Sequence, residues 1–132
     1  MSLKPKKFLY EESEYFGKNY LIELTKYGLE LQRSTVCIPF TNGSDVVVKP
    51  TSDEWKNFID SVKSLKLKPK EPNDNILDGF EVKCHITFNE VLVKFYIINP
   101  EFENFEKFRY LVNSLTICND YPKGVLDSDD EE

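Results

Sequence analysis

His85 is the single histidine of the chain, and an imidazole can act as a general base near neutral pH. Its sequence neighbour Cys84 is the nearest nucleophile along the chain. Adjacent side chains of a strand point to opposite faces, so we do not expect these two residues to act together. Glu81, Lys83 and Thr87 share the face of His85 and indicate a solvent-facing histidine. We predict no catalytic residue, and a small enzyme that uses His85 stays an alternative.

Other catalytic and metal-binding patterns are absent from the sequence. It contains no GxSxG, GxxxxGK(S/T), HExxH or GxGxxG motif, which argues against the common hydrolases, nucleotide binders and zinc enzymes. Its three cysteines, Cys37, Cys84 and Cys118, are far apart, a pattern typical of free thiols in a reducing cytosol. We therefore expect no metal, no cofactor and a cytoplasmic protein.

The composition predicts one acidic folded domain. The 132 residues are 40% hydrophobic, which is enough for a core. Seventeen basic residues against 23 acidic ones give a net charge of −6, which argues against binding to duplex nucleic acid or an anionic membrane. No segment approaches the roughly 20 apolar residues that span a bilayer. We expect no membrane association.

Three regions follow from the distribution of charge. Residues 1–16 contain a lysine cluster and then several glutamates, and we predict a flexible N-terminal lead. Residues 17–119 contain all the periodic segments and form the single domain. Residues 120–132 end in a run of acidic side chains, and we predict a flexible acidic tail.

The periodic segments predict an α+β fold. A helix should begin at Thr51, which forms a capping box with Glu54, and a second helix should begin at Asn99 and Pro100. Each helix has a predicted apolar stripe: Trp55, Phe58, Ile59, Val62 and Leu65 in the first, and Phe102, Phe105, Phe108, Val112 and Leu115 in the second. The last strand is apolar on both faces, so we place it centrally in the sheet. We predict an antiparallel sheet of about five strands, with the two helices packed on one face. The strand-like segments are residues 20–25, 29–32, 36–40, 46–48, 80–88 and 91–98, with a turn or bulge at Tyr27-Gly28 and a turn at Asn89-Glu90.

Aromatic and acidic side chains point to protein binding. Seven tyrosines and ten phenylalanines exceed what the core needs, and tyrosine is favoured at interfaces. Acidic side chains around these tyrosines would attract a cationic partner. We predict a non-catalytic protein-binding domain, monomeric or homodimeric. The predicted partner-binding residues are Tyr96, Glu101, Glu103, Glu106, Tyr110, Asp129, Asp130 and Glu131.

A family resemblance sharpens this prediction. Trp55 and Phe58 lie on a capped helix, Asp78-Gly79-Phe80 leads into a two-strand hairpin, and a closing helix follows. Over residues 45–118 this arrangement resembles small uncharacterised bacterial α+β domains of the immunity-protein type. The resemblance implies a protein that neutralises a cognate toxin by occupying its active site, with acidic side chains masking a basic cleft.

Single-stranded nucleic acid is the alternative partner. Lysines cluster near the N-terminus and after the first helix, and exposed aromatics on a sheet can stack on bases. The acidic tail would then be regulatory, because it can compete with the nucleic acid. Arginine occurs only as Arg33 and Arg109, and this scarcity argues against base and phosphate recognition.

Overall fold

The computed structural model describes residues 4–14, 19–34, 46–65, 67, 80–89, 91–98 and 104–127. They form one antiparallel sheet of six strands together with two α-helices and a short 3-10 helix, so the α+β class is confirmed. The bounds are β1 Lys7–Glu14, β2 Asn19–Thr25, β3 Gly28–Ser34, β4 Val46–Val48, α1 Ser52–Leu65, β5 Phe80–Thr87, β6 Leu92–Ile98, α2 Phe105–Ser114 and the 3-10 helix Val125–Asp127.

Strand β1 is the main difference from the sequence prediction. The sheet order is β4-β3-β2-β1-β5-β6, so residues 7–14 lie in its interior and not in a flexible lead. β1 raises the strand number from about five to six. The sequence did not predict β1 because Glu11, Glu12 and Glu14 are typical of a solvated segment. The predicted strand at 36–40 lies outside the described residues.

Strand β6 also differs from the prediction. It pairs with β5 and stands at the edge of the described sheet, although its sequence is typical of a central strand. The register places Cys84 opposite Phe95 and His85 opposite Lys94. The predicted turn at Asn89 joins the two strands, and Phe88 N–H donates to the Val91 carbonyl at 2.9 Å. The hairpin itself is therefore confirmed.

The β2–β3 hairpin turns at Lys26 and Tyr27, one residue before the predicted position. Gly28 opens β3 with a φ of 136°, a conformation that side chains rarely adopt. A Cβ at Gly28 would lie 2.6 Å from the Val48 carbonyl oxygen, so β4 approaches closely only because this residue is glycine.

Alternation divides the sheet into a covered face and an exposed face. Rings from α1 and α2 contact rings on the covered face: Phe58 lies 5.8 Å from Phe8, and Phe108 lies 6.2 Å from both Tyr10 and Phe95. The buried residues of the covered face are Phe8, Tyr10, Glu12, Tyr20, Ile22, Leu29, Leu31, Val82, Cys84, Ile86 and Phe95.

Helix α1 begins as predicted. Thr51 Oγ1 accepts from the Glu54 amide at 3.2 Å, and Glu54 Oε1 accepts from the Thr51 amide at 2.8 Å. This reciprocal pair is the capping box, which satisfies amides that have no partner within the helix. The predicted apolar stripe of Trp55, Phe58 and Val62 is buried.

Helix α2 begins later than predicted. Its N-cap is Asn104, with a φ of 69°, and residues 99–103 lie outside the described part of the chain. The Asn104 side chain donates to the Leu65 carbonyl at 2.5 Å, which ties the start of α2 to the end of α1. Phe105, Phe108 and Val112 are buried, so the predicted stripe is confirmed over the described helix.

A buried ion pair fastens β1 to α2. Arg109 donates from Nε to Glu12 Oε2 at 2.6 Å and from Nη2 to Oε1 at 3.0 Å, and Tyr10 Oη donates to Oε2 at 2.6 Å. Burial, and then the adjacent Glu12 charge, raise the pKa of Tyr10 well above its usual value. Arg109 Nη2 also donates to the Leu126 carbonyl, so the same cation holds the C-terminal segment.

Residues 121–127 are packed against α2, and the predicted flexible tail is wrong for them. Tyr121, Val125 and Leu126 are buried. Asn113 Nδ2 donates to the carbonyl of residue 123, and Asn113 Oδ1 accepts from the Leu126 amide at 2.9 Å. Thr116 Oγ1 accepts from the Val125 amide at 2.8 Å. Residues 128–132 lie outside the described residues.

Candidate functional site

The exposed face of the sheet places many polar side chains together. Every side chain on it is half-buried or exposed. Its residues are Lys7, Leu9, Glu11 and Ser13 on β1, Leu21 and Glu23 on β2, Glu30 and Gln32 on β3, Val47 on β4, Glu81, Lys83, His85 and Thr87 on β5, and Leu92, Lys94 and Tyr96 on β6.

Three glutamates form what we name the acidic strip: Glu11, Glu23 and Glu30. Glu23 and Glu30 are direct cross-strand partners, and like charges in that position destabilise a sheet. The other neighbour of Glu23 is Leu9 on β1, and the other neighbour of Glu30 is Val47 on β4. No cation therefore stands at the register positions beside this pair.

The third member of the acidic strip, Glu11, has a raised pKa, and burial is the main cause. Partial burial raises the pKa of Glu11, and the charges of Glu81 and Glu23 raise it further. Lys83, its partner on β5, acts in the opposite direction and lowers that pKa without reversing the shift. An incoming cation would favour the ionised form of Glu11.

The β5–β6 side of the exposed face carries the opposite charge. Lys83 and Lys94 are exposed there. Tyr96 is 56% exposed, and its hydroxyl donates to Glu81 Oε1 at 2.6 Å. That hydrogen bond to the carboxylate raises the pKa of Tyr96. The exposed face is thus acidic across β1–β3 and basic toward β6.

His85 lies on the exposed face between Leu9 and Lys94. Desolvation lowers the pKa of His85, and the positive charges of Lys7 and Lys94 lower it further. Cys84 lies buried on the covered face, as the alternation predicts, and burial raises the pKa of its thiol. The thiol and the imidazole therefore do not form a catalytic pair with each other.

The predicted partner-binding residues fall on two separate surfaces. Tyr96 belongs to the exposed face. Glu106 and Tyr110 line a groove of about 360 Å³ between α1 and α2, together with Leu65 and Leu111. Tyr110 is 68% exposed there. Five predicted residues lie outside the described residues: Glu101, Glu103, Asp129, Asp130 and Glu131.

The acidic strip was not predicted from the sequence. Glu11 was assigned to a flexible lead, while Glu23 and Glu30 were treated as ordinary polar positions of two strands. A signal was present in the hairpin itself, since a two-residue turn between Thr25 and Gly28 puts residues 23 and 30 opposite each other.

A second charged site lies at the β2–β3 turn. Lys4, Lys26 and Lys49 come from three separate segments and line a cleft of about 260 Å³, which we name the lysine cleft. Tyr27 forms one wall, with the Lys26 ammonium 5.0 Å from its ring centre, and Trp55 also lines the cleft. None of the residues that line this cleft is acidic.

The described residues contain neither a metal-binding cluster nor a membrane-spanning helix. Within the described ranges, no three His, Cys, Asp or Glu side chains are grouped so that they could hold a metal ion. None of the helices in that part of the chain has both the length and the apolar composition to cross a membrane.

The acidic strip, the interhelical groove and the lysine cleft are therefore the three candidate sites, and charge distinguishes the first from the last. Comparison with known proteins assigns none of them a role. No protein-family model, curated protein or solved structure matches this chain.

Proposed function

We propose that this protein is a non-catalytic domain that binds a cationic protein through the acidic strip. The observation that carries the proposal is the direct cross-strand pairing of Glu23 with Glu30 on the exposed face. The repulsion between them costs stability, and a lysine or arginine of a partner would remove it. Glu11, whose pKa is raised mainly by burial, would gain a second counter-charge beside Lys83 in the same step.

The overall charge supports an electrostatic encounter. The chain has a net charge of −6, which accelerates association with a basic surface and disfavours acidic competitors. In our proposal both helices pack on the covered face, which leaves the acidic strip free for a partner. Binding should weaken with added salt, because rim charges are screened.

The specific form that we propose is immunity-type neutralisation. It rests on the resemblance of residues 45–118 to small bacterial immunity-type domains and on the acidic strip, which could cover a basic active-site cleft. The protein would act in the cytoplasm, which agrees with the free thiols of Cys84 and Cys118.

The test compares three immobilised proteins in a host lysate: the wild type, the strip variant Glu11→Gln/Glu23→Gln/Glu30→Gln, and a control with the same charge change, Asp53→Asn/Asp60→Asn/Asp120→Asn. The three control positions are exposed and lie outside the sheet. We expect mass spectrometry to find a basic protein that the wild type and the control retain and the strip variant loses.

The retained protein is then purified and its affinity for the three proteins is measured directly at increasing salt. A loss of at least tenfold in the strip variant alone supports the proposal. Equal retention by all three proteins, or no retained basic protein, contradicts it. Rescue of cells that express the retained protein, by co-expression of the wild type and not of the strip variant, would identify the partner as a toxin.

The lysine cleft favours a second candidate, binding of single-stranded nucleic acid. Three lysines line the cleft and none of its described lining residues is acidic, which suits a phosphate, and Tyr27 offers a ring for stacking. Trp55 is the single tryptophan and lines the cleft, so its fluorescence reports occupancy.

The probe for this candidate is single-stranded oligothymidylate at low ionic strength. Binding would change the Trp55 emission, weaken with salt and be lost in Lys26→Gln/Lys49→Gln. The control Lys63→Gln/Lys123→Gln removes two exposed lysines outside the cleft and should bind normally. Unchanged emission across the titration excludes this candidate.

A further inference from the structure

The outer edge of β6 has no strand neighbour among the described residues, and its sequence is unusual for such a position. Edge strands normally carry charge, proline or bulges that prevent pairing with another chain. β6 reads Leu-Val-Lys-Phe-Tyr-Ile-Ile, with a single charge at Lys94, and β5 is its only strand neighbour in the described sheet. Leu92 is 63% exposed and Tyr96 is 56% exposed. A two-sided apolar strand at an edge indicates that another strand completes it.

The backbone of β6 is directed so that a strand can be added. Phe88 and Val91 form a hydrogen-bonded pair where the hairpin closes. Hydrogen-bonded and non-hydrogen-bonded pairs alternate along an antiparallel ladder, so Val93, Phe95 and Ile97 turn their N–H and C=O groups toward β5. The N–H and C=O groups that point away from β5 are those of Leu92, Lys94, Tyr96 and Ile98.

We propose that β6 pairs with β6 of a second copy of this chain, antiparallel about a two-fold axis at Phe95. This register uses the whole strand: Leu92 lies opposite the partner's Ile98, and Lys94 lies opposite the partner's Tyr96. The two Phe95 residues face each other as a non-hydrogen-bonded pair. Every backbone group directed to the outer edge then belongs to a hydrogen-bonded pair.

The side chains select this register over its neighbours. A shift that centres the axis on Lys94 would place two lysines directly opposite each other, which is destabilising, and would shorten the overlap. With the axis at Phe95, each Lys94 ammonium instead meets a tyrosine ring, an attractive cation–π arrangement. A strand that complements its own reversed copy fits a symmetric dimer, because a two-fold interface uses the same patch twice.

The first test measures mass and amide exchange against protein concentration. Sedimentation equilibrium should show the mass rising from 15.5 kDa toward twice that value. By NMR, the amides of Leu92, Lys94 and Tyr96 should become protected from exchange as concentration rises. The amides of Val93 and Phe95 should be protected throughout, because they bond to β5. A monomer at every concentration, or protection that does not alternate, overturns the proposal.

The second test uses variants of Tyr96. Tyr96→Pro removes an N–H that bonds to nothing in β5, so the sheet is retained and the dimer is lost. Tyr96→Lys keeps the N–H but places lysine opposite lysine twice across the interface, and it should also be monomeric. The control Tyr110→Ala removes a comparably exposed tyrosine from α2 and should dimerise as the wild type does. A dimer that survives Tyr96→Lys contradicts the proposed pairing.

Discussion

The Glu12 carboxylate and the Arg109 guanidinium form a bidentate ion pair between residues 97 positions apart in the sequence. Glu12 is 1% exposed, so its charge depends on Arg109 and on the hydroxyl of Tyr10. The pair therefore does more than join two surfaces. It permits a carboxylate to occupy the covered face of the central strand.

Removing Arg109 should be among the most damaging substitutions in this chain. Arg109→Met leaves the Glu12 charge buried without its cation, and breaking such a pair costs about 3–5 kcal/mol. Urea unfolding measures the loss. The triple variant Tyr10→Phe/Glu12→Leu/Arg109→Met replaces the whole group with apolar side chains and should recover most of it. If Arg109→Met is as stable as the wild type, the pair does not stabilise the fold.

Gly124→Ala should detach the C-terminal segment. Gly124 has a φ of 87°, and a Cβ there would overlap the Asn113 side-chain amide. The left-handed backbone alone costs a non-glycine residue about 1–2 kcal/mol, and the overlap adds to it. Amide exchange at Val125 and Leu126 should accelerate, while Lys123→Ala, at an exposed neighbour, should exchange normally. Unchanged exchange in Gly124→Ala would show that the segment adapts.

Relieving the Glu23–Glu30 repulsion should stabilise the unbound protein. We expect Glu30→Gln to raise the free energy of unfolding by about 0.2–1 kcal/mol, the usual size of a cross-strand pair effect. The gain should shrink in a Glu23→Gln background, because the repulsion is already gone. Glu106→Gln controls for net charge. If Glu30→Gln gave the same gain in the wild type and in Glu23→Gln, the gain would not come from the repulsion between Glu23 and Glu30.

Glu11 should make stability depend on pH. Its pKa is raised in the folded state, so folding favours the protonated form, and this contribution is lost as pH rises through the folded pKa. Glu11→Gln should therefore be more stable than the wild type at pH 7. The two proteins should converge below the ordinary pKa of a glutamate. Urea unfolding across this pH range measures the difference in stability between the two proteins. A wild type that is more stable than Glu11→Gln at pH 7 would contradict the prediction.

Thr51→Ala should weaken α1 at its first turn. It removes the hydroxyl that accepts from the Glu54 amide, and the loss of an N-cap costs about 1 kcal/mol. Ser52→Ala, at the adjacent exposed position, is the matched control. Thermal unfolding should separate the two variants, and equal transition temperatures would show that the capping box contributes little.

Local patterns in the sequence predicted the local elements. The capping box located α1, strict alternation located the β5–β6 hairpin, and the spacing of Phe105, Phe108 and Val112 located α2. Each signal lies within a few residues, where helix and strand periods act. The start of α2 was missed because Asn104, not Asn99, supplies the N-cap.

Long-range partners determined what the sequence did not predict. From the sequence, Glu12 is typical of a surface residue, but its carboxylate is buried and paired with Arg109. Val125 and Leu126 lie in a polar segment of the sequence, but the side chains of Thr116 and Asn113 accept hydrogen bonds from their amides. The acidic strip depends in the same way on strand order, because Glu11 approaches Glu23 only when β1 pairs with β2. Aromatic and acidic content predicted a protein-binding surface without its position, and the acidic strip that we propose for it depends on strand register.

The place of β1 has a consequence for synthesis in the cell. Its register pairs Lys7 with Thr87, so the ribosome must add roughly 80 residues before β1 meets that partner. At typical translation speeds the strand waits about 4–16 s with one side unpaired. A nascent chain that stalls before β5 would expose this edge, and a chaperone that shields extended segments should associate with it during that interval.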